Sequence, residues 1–260
     1  MWSNVQPGGQ AEQVGRLILA AVVVLALPAL PFGTYLIYPF VILTTWFHEM
    51  GHGLTALLLG QDFEQLEIYA NGSGVAQSRV AADLSPLARA AIAAGGPLAP
   101  TLVGSLLIVA SAHERMWRPA LWGLSAAIFA SVIIYVRSRV GYFVLPLVGA
   151  GIALIAWRAQ PGLVRFSLQF LGLLGALSML SDFDYLFTER AVIDGRPMLS
   201  DTGQIEAALL LPHWVWAALI LVTSAVMVGA SLRYALDENR LRGRPTKRPA
   251  NVLQFRRPKR

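Results

Sequence analysis

Long apolar runs separated by short polar punctuation fill most of the chain. A helix needs about 20 apolar residues to cross the hydrocarbon layer of a bilayer, and runs of that kind lie near 17–32, 35–60, 89–112, 117–136, 142–158, 163–187 and 213–235. The pattern predicts an all-α polytopic membrane protein of six or seven transmembrane helices. The count is soft because 142–158 is short, and because Pro28, Pro31 and Gly33 either separate two helices or break one. The first run follows Arg16 as a signal peptide would. "ALPALPF" offers no small-x-small cleavage site, so the run reads as an uncleaved anchor.

Two stretches are too polar to span, 61–88 and 188–212. The first alternates apolar and polar residues on either side of Asn71-Gly72, which predicts a small β-hairpin at the membrane face. The expected organisation is an N-terminal segment 1–16, a transmembrane domain 17–236 and a basic tail 237–260.

Composition supports the membrane reading. The 260 residues are 55% hydrophobic and only 14% charged, with a mean hydropathy of +0.55, against roughly 25% charged residues in soluble domains. The formal charge of +6 misleads, because nine of the 21 Lys and Arg follow Glu238, where there is no acid. Residues 1–238 carry 12 basic and 15 acidic groups, a net of −3. The tail, rich in Arg, Lys and Pro, cannot build a core and is expected to be disordered. We read it as a positive-inside anchor near anionic lipid, not a nucleic-acid arm, which puts the C-terminus in the cytoplasm. The expected setting is a bacterial cytoplasmic membrane. With no cysteine, a metal could be held only by His, Asp or Glu.

The chemistry concentrates in "TTWFHEMGHGLTALLLG", residues 44–60, which puts His48, Glu49 and His52 inside an apolar run. This is H-E-x-x-H. On a helix the i, i+4 spacing stacks both imidazoles on one face, where two neutral nitrogens can bind one Zn²⁺ per chain. Glu49 sits about 100° further round, close enough to take a proton from a water that the metal acidifies without itself being a ligand. Uncompensated ionisable groups are costly in lipid, so metal binding explains them better than polar contacts between helices. If the helix starts near Tyr35, His48 lies roughly 20 Å along a layer of about 30 Å, and water must reach it through a protein cavity.

Around this motif, "NGSGVAQSR", "AAGGPLAPTLVGSLL" and "LSDTGQIEAALLLPHWVWAALI" complete a resemblance to the site-2-protease family of intramembrane zinc metalloproteases. The chain looks most like a compact group without a PDZ domain, over most of residues 35–235. That resemblance implies hydrolysis of a peptide bond in or beside a transmembrane segment of a membrane-protein substrate. It also implies an aspartate as third ligand. The family commonly supplies it from an Asn-Pro segment ending in Leu-Asp-Gly, and this chain has no full copy. Asp182, which ends an apolar run, fits best. Asp194 in "VIDGRPM" matches the Asp-Gly pair by letter, and Asp184 is the further alternative.

The remaining candidates have plainer readings. His113 and His213 sit at predicted span ends beside Trp, where interfacial side chains rest. Asp201, three residues before Gln204, reads as a helix N-cap. The small residues of "AAIAAGGPLAP" allow close helix packing, and Pro97 and Pro100 free backbone groups that could line a path for water or substrate. "ANGSGV" could offer a strand edge to an extended substrate. The missing Asn-Pro segment leaves a rival from another class, a non-proteolytic scaffold or transporter-like protein with a structural or vestigial metal site. The sequence names no substrate and no oligomeric state.

Overall fold

The computed structural model describes residues 10–181 and 183–237. The basic tail from residue 238 and Asp182 lie outside the described residues. The apolar runs form helices close to where the pattern places them. Helix α1 (Gln10–Ala26) ends in a turn of 3-10 helix, Leu27–Ala29, before α2 (Gly33–Leu58). A hairpin of β1 (Asp62–Ile68) and β2 (Gly74–Arg79) leads to α3 (Pro86–Ser111), α4 (Glu114–Ile134), α5 (Arg139–Arg158) and α6 (Pro161–Ser181). The expected run 163–187 then splits, its end forming the one-turn helix α7 (Phe183–Leu186). A second hairpin, β3 (Arg190–Ile193) and β4 (Arg196–Leu199), precedes the short α8 (Asp201–Leu209) and the final α9 (His213–Ala235).

Among the described residues five helices are long and apolar enough to cross a membrane: α3, α4, α5, α6 and α9. The other two apolar runs fall differently. Helix α1 has 17 residues, and α2, though 26 residues long, interrupts its apolar face with His48, Glu49, Gly51, His52 and Gly53.

The first hairpin does not rest at the end of α2. It runs back along that helix. At its base Phe63 packs on Gly53, while at its tip Tyr38 donates a 3.1 Å hydrogen bond to the carbonyl of Ala70 and Thr45 donates one to that of Gly72. The tip therefore lies beside the first half of α2, ahead of His48 in that helix. The turn forms as its residues dictate: Gly72 has a φ of +89°, and the Asn71 side chain accepts from the Ser73 N–H at 3.0 Å.

Strand β1 has partners on both edges. One edge pairs with β2 from Asp62↔Arg79 to Ile68↔Gly74. On the other, the Leu66 N–H donates to the Tyr135 carbonyl, the Arg137 N–H to the Leu66 carbonyl and the Ile68 N–H to the Ser138 hydroxyl, each at 2.9 Å. Strand β2 has a strand partner on one side only. Unpaired backbone at this depth is tolerable only where it is covered by protein or lines a wet cavity.

The helices meet through glycine. A Cβ on Gly104 of α3 would fall 2.5 Å from the Gly172 carbonyl oxygen and 2.6 Å from the Ala176 nitrogen of α6. Between α2 and α3, a Cβ on Gly51 would strike the Gly95 carbonyl and the Ala99 methyl. Close backbone approach of this kind suits a lipid environment, where dispersion contacts replace the hydrophobic effect between helices. Backbone atoms cannot swing aside. We therefore expect Gly104→Ala to destabilise the detergent-solubilised protein by about 1–3 kcal/mol. Gly123→Ala, with nothing near its Cβ, should instead gain up to about 1 kcal/mol from helix propensity. Reversible SDS-titration unfolding measures both.

Candidate metal centre

His48 and His52 lie one helical turn apart on α2, with ring centroids 4.9 Å apart. Helix α3 holds His52 from behind. Its Nδ1 is 2.8 Å from the carbonyl oxygen of Ile92, which can only accept, so Nδ1 carries the proton and Nε2 presents a lone pair. Gly96 makes room for the ring, since a Cβ there would collide with Nε2 and Cε1.

Facing both rings is Asp201, the first residue of α8, 2% exposed. It is not the cap that its spacing from Gln204 suggests. Ser200 caps the helix, accepting from the Gly203 N–H at 3.0 Å, which leaves the Asp201 carboxylate free to turn inward. Its Oδ2 lies 2.9 Å from His48 Nε2 and its Oδ1 lies 3.2 Å from His52 Nε2.

This closeness has an electrostatic consequence. A bare imidazole nitrogen and a carboxylate oxygen both present lone pairs, and at 3 Å in a buried site they repel unless a proton or a cation sits between them. Oδ2 is buried and makes no hydrogen bond despite its distance to His48. The three ligand atoms lie within 4.8 Å of one another. Donors on adjacent corners of a tetrahedral zinc site with bonds of about 2.0–2.1 Å are about 3.3 Å apart, and two imidazoles with one carboxylate are a known catalytic set that leaves one position open. The residues fit a zinc ion.

Glu49, the next residue along α2, is buried. Gly74 lies so close that a Cβ would sit 2.8 Å from Glu49 Cγ and 2.9 Å from Oε1. Both His48 and Glu49 open onto a cavity of about 770 Å³ that also meets Thr44 and Thr45, the hairpin tip from Asn71 to Gly74, Leu177 and Ser178 of α6, Tyr185, and residues 191–193 of β3. The tip of the first hairpin, with Gly74 at the start of β2, therefore borders a space large enough for water.

His48, Glu49 and His52 thus come together as their spacing requires. The third acid at the pair is Asp201. Asp184 is exposed on α7, and Asp194, with a φ of 49°, is exposed at the turn of the second hairpin beside Gly195. Asp-Gly is a strong two-residue hairpin signal, and that is its use here. Asp182 lies outside the described residues. His213 pairs with Glu206, its backbone N–H donating at 2.7 Å and its ring lying at 2.9 Å. The backbone hydrogen bond, helped by the ring, holds the Glu206 carboxyl below its usual range. His113 stacks on Tyr234. The signal for Asp201 was the Ser-Asp stretch before the last span, which a cap reading absorbed.

A polytopic membrane chain with H-E-x-x-H and a facing aspartate has the build of a membrane metallopeptidase. Residues 16–231 match the family model described as Peptidase M50B-like, and the chain belongs to that family, the site-2-protease-like intramembrane metalloproteases. No curated protein and no solved structure matches it. Metal analysis of the purified protein separates the acids. Asp201→Asn should lose its zinc, whereas Asp184→Asn and Asp194→Asn should keep about one ion per chain, as expected for solvated acids.

Proposed function

We propose that the protein is a zinc-dependent intramembrane endopeptidase that hydrolyses a peptide bond in or near a transmembrane segment of a membrane-protein substrate. The observation that carries this reading is the Asp201 carboxylate facing both histidines, with His48 and Glu49 both bordering one cavity. His48, His52 and Asp201 hold the metal. When bound, Zn²⁺ acts as a Lewis acid, lowering the pKa of water toward about 7 and polarising the scissile carbonyl.

The chain's own groups do the rest. Glu49 takes a proton from the attacking water as its oxygen adds to the carbonyl carbon. The same carboxyl gives that proton to the amide nitrogen as the C–N bond breaks, which yields a carboxylic acid and an amine, and the acid's proton then passes to the amine. The missing side chain at Gly74 leaves Glu49 the room it occupies. The His52 bond to Ile92 keeps Nε2 free for the metal. The outer edge of β2 receives the substrate as an added strand, satisfying the main-chain groups of a locally unwound helix. The cavity lets water reach the site while helices exclude lipid. The tail lies on the cytoplasmic side against anionic lipid.

A rival scaffold or transporter-like role drew its support from the absent Asn-Pro-Asp-Gly segment. Asp201 supports the peptidase reading in its place. Glu49→Gln keeps the ligands and removes the base, so it should retain zinc while losing about 10²–10⁴-fold in peptide hydrolysis. If wild type and Glu49→Gln both hold zinc and neither cuts any peptide in a broad transmembrane panel, the peptidase reading is wrong.

A further inference from the structure

Tyr38, Val41, Thr45 and Glu49 follow one another at spacings of three and four residues, so they form one stripe along α2. The turn of the first hairpin lies on that stripe. It closes on itself through two backbone bonds, the Gly72 N–H donating to the Tyr69 carbonyl at 3.0 Å and the Tyr69 N–H to the Ser73 carbonyl at 2.8 Å. Two further carbonyls of the turn are met by the helix: Ala70 accepts from the Tyr38 hydroxyl at 3.1 Å and Gly72 from the Thr45 hydroxyl. A carbonyl within a membrane protein needs such a partner, because lipid offers none. Val41 comes between the two hydroxyls on α2, and a Cβ on Gly72 would fall 3.0 Å from its Cγ1. Two residues past Gly72 the backbone reaches Gly74, where a Cβ would sit 2.8 Å from Thr45 Cγ2, 2.8 Å from Glu49 Cγ and 2.9 Å from Glu49 Oε1. Thr45, Glu49 and residues 71–74 all border the same cavity.

We propose that Thr45 is a positioning residue for Glu49: its hydroxyl fixes the hairpin turn on α2, and the turn so placed holds Gly74 against the Glu49 side chain and sets where that side chain points. The proposal rests on the peptidase reading above. The physical reason is that a glutamate side chain has several rotatable bonds, so the wall it lies against decides where its carboxylate ends up. Here that wall is the start of β2, and the tie nearest to Glu49 is Thr45, one helical turn away. A misplacement of about 1 Å at a reacting group costs about 100-fold in rate, so a tie that never touches substrate governs kcat.

Thr45→Val keeps the branched shape and removes only the hydroxyl, while Thr45→Ser keeps the hydroxyl. The chain has no cysteine, so Ser73→Cys places a single thiol on the turn. With full-length, zinc-loaded protein in detergent, N-ethylmaleimide should label that thiol about tenfold faster when Thr45→Val is added, and at an unaltered rate when Thr45→Ser is added. With Ser73 restored, Thr45→Val should hold zinc as wild type does and cleave a peptide of the transmembrane panel with kcat lowered about 10–100-fold and KM within about twofold. Thr45→Ser should recover kcat. Thr45→Ala, which also lacks the hydroxyl, should behave as Thr45→Val does. Unchanged labelling in the two variants without the hydroxyl, or faster labelling with wild-type kcat, overturns the proposal and leaves the peptidase reading intact. Zinc-loaded wild type that cuts no peptide of the panel overturns both, before any variant is compared.

Discussion

Three lone-pair donors held against one another in a buried, largely apolar place set the terms for the rest of this molecule. His48, His52 and Asp201 come from two helices that are 149 residues apart at their nearest ligands, and each would be costly at this depth alone. Together they are tolerable only with a positive charge between them. Much of the surrounding structure reads as the means of keeping them there: the Ile92 carbonyl behind His52, the missing side chain at Gly96, and the Ser200 cap that releases Asp201 from a capping role.

A metal site at membrane depth also has to be wet and reachable, which lipid does not provide. The first hairpin runs along α2 with one strand paired on both edges and with its tip, residues 71–74, bordering the cavity. Glu49 lies against this hairpin at Gly74, so its carboxylate and the strand that begins there are parts of one local structure. Gly74 is required twice over, by the strand's approach to α2 and by the space Glu49 occupies. The second hairpin borders the same cavity from the other side through residues 191–193.

Much of this was legible in order along the chain. The apolar runs, read as six or seven spans, fall on long helices, five of which among the described residues are long and apolar enough to cross a membrane, because a helix in lipid satisfies its own backbone and needs no partner to be recognised. The Asn71-Gly72 turn and the H-E-x-x-H face were legible for the same reason, since turn geometry and helical spacing are local. Where an acid had two local uses, the sequence misled. Asp194 looked like a ligand and serves a hairpin turn, while Asp201 looked like a cap and faces the histidines. The Asp-Gly pair of the second hairpin is a turn signal in the sequence, and the turn is where it sits.

The sequence by itself determined a helical membrane protein with two imidazoles and a glutamate on one helix face, because hydropathy and the 3.6-residue repeat act over short distances. Only the tertiary structure decided which aspartate faces them and that the hairpin runs back along α2 beside the site. Those outcomes depend on how α8 and α7 are tied to each other and packed against α3 and α2. Contacts between residues so far apart in the chain are set by glycine-sized gaps and by the hydrogen bonds of Ser200 and Thr202, which no local pattern reveals.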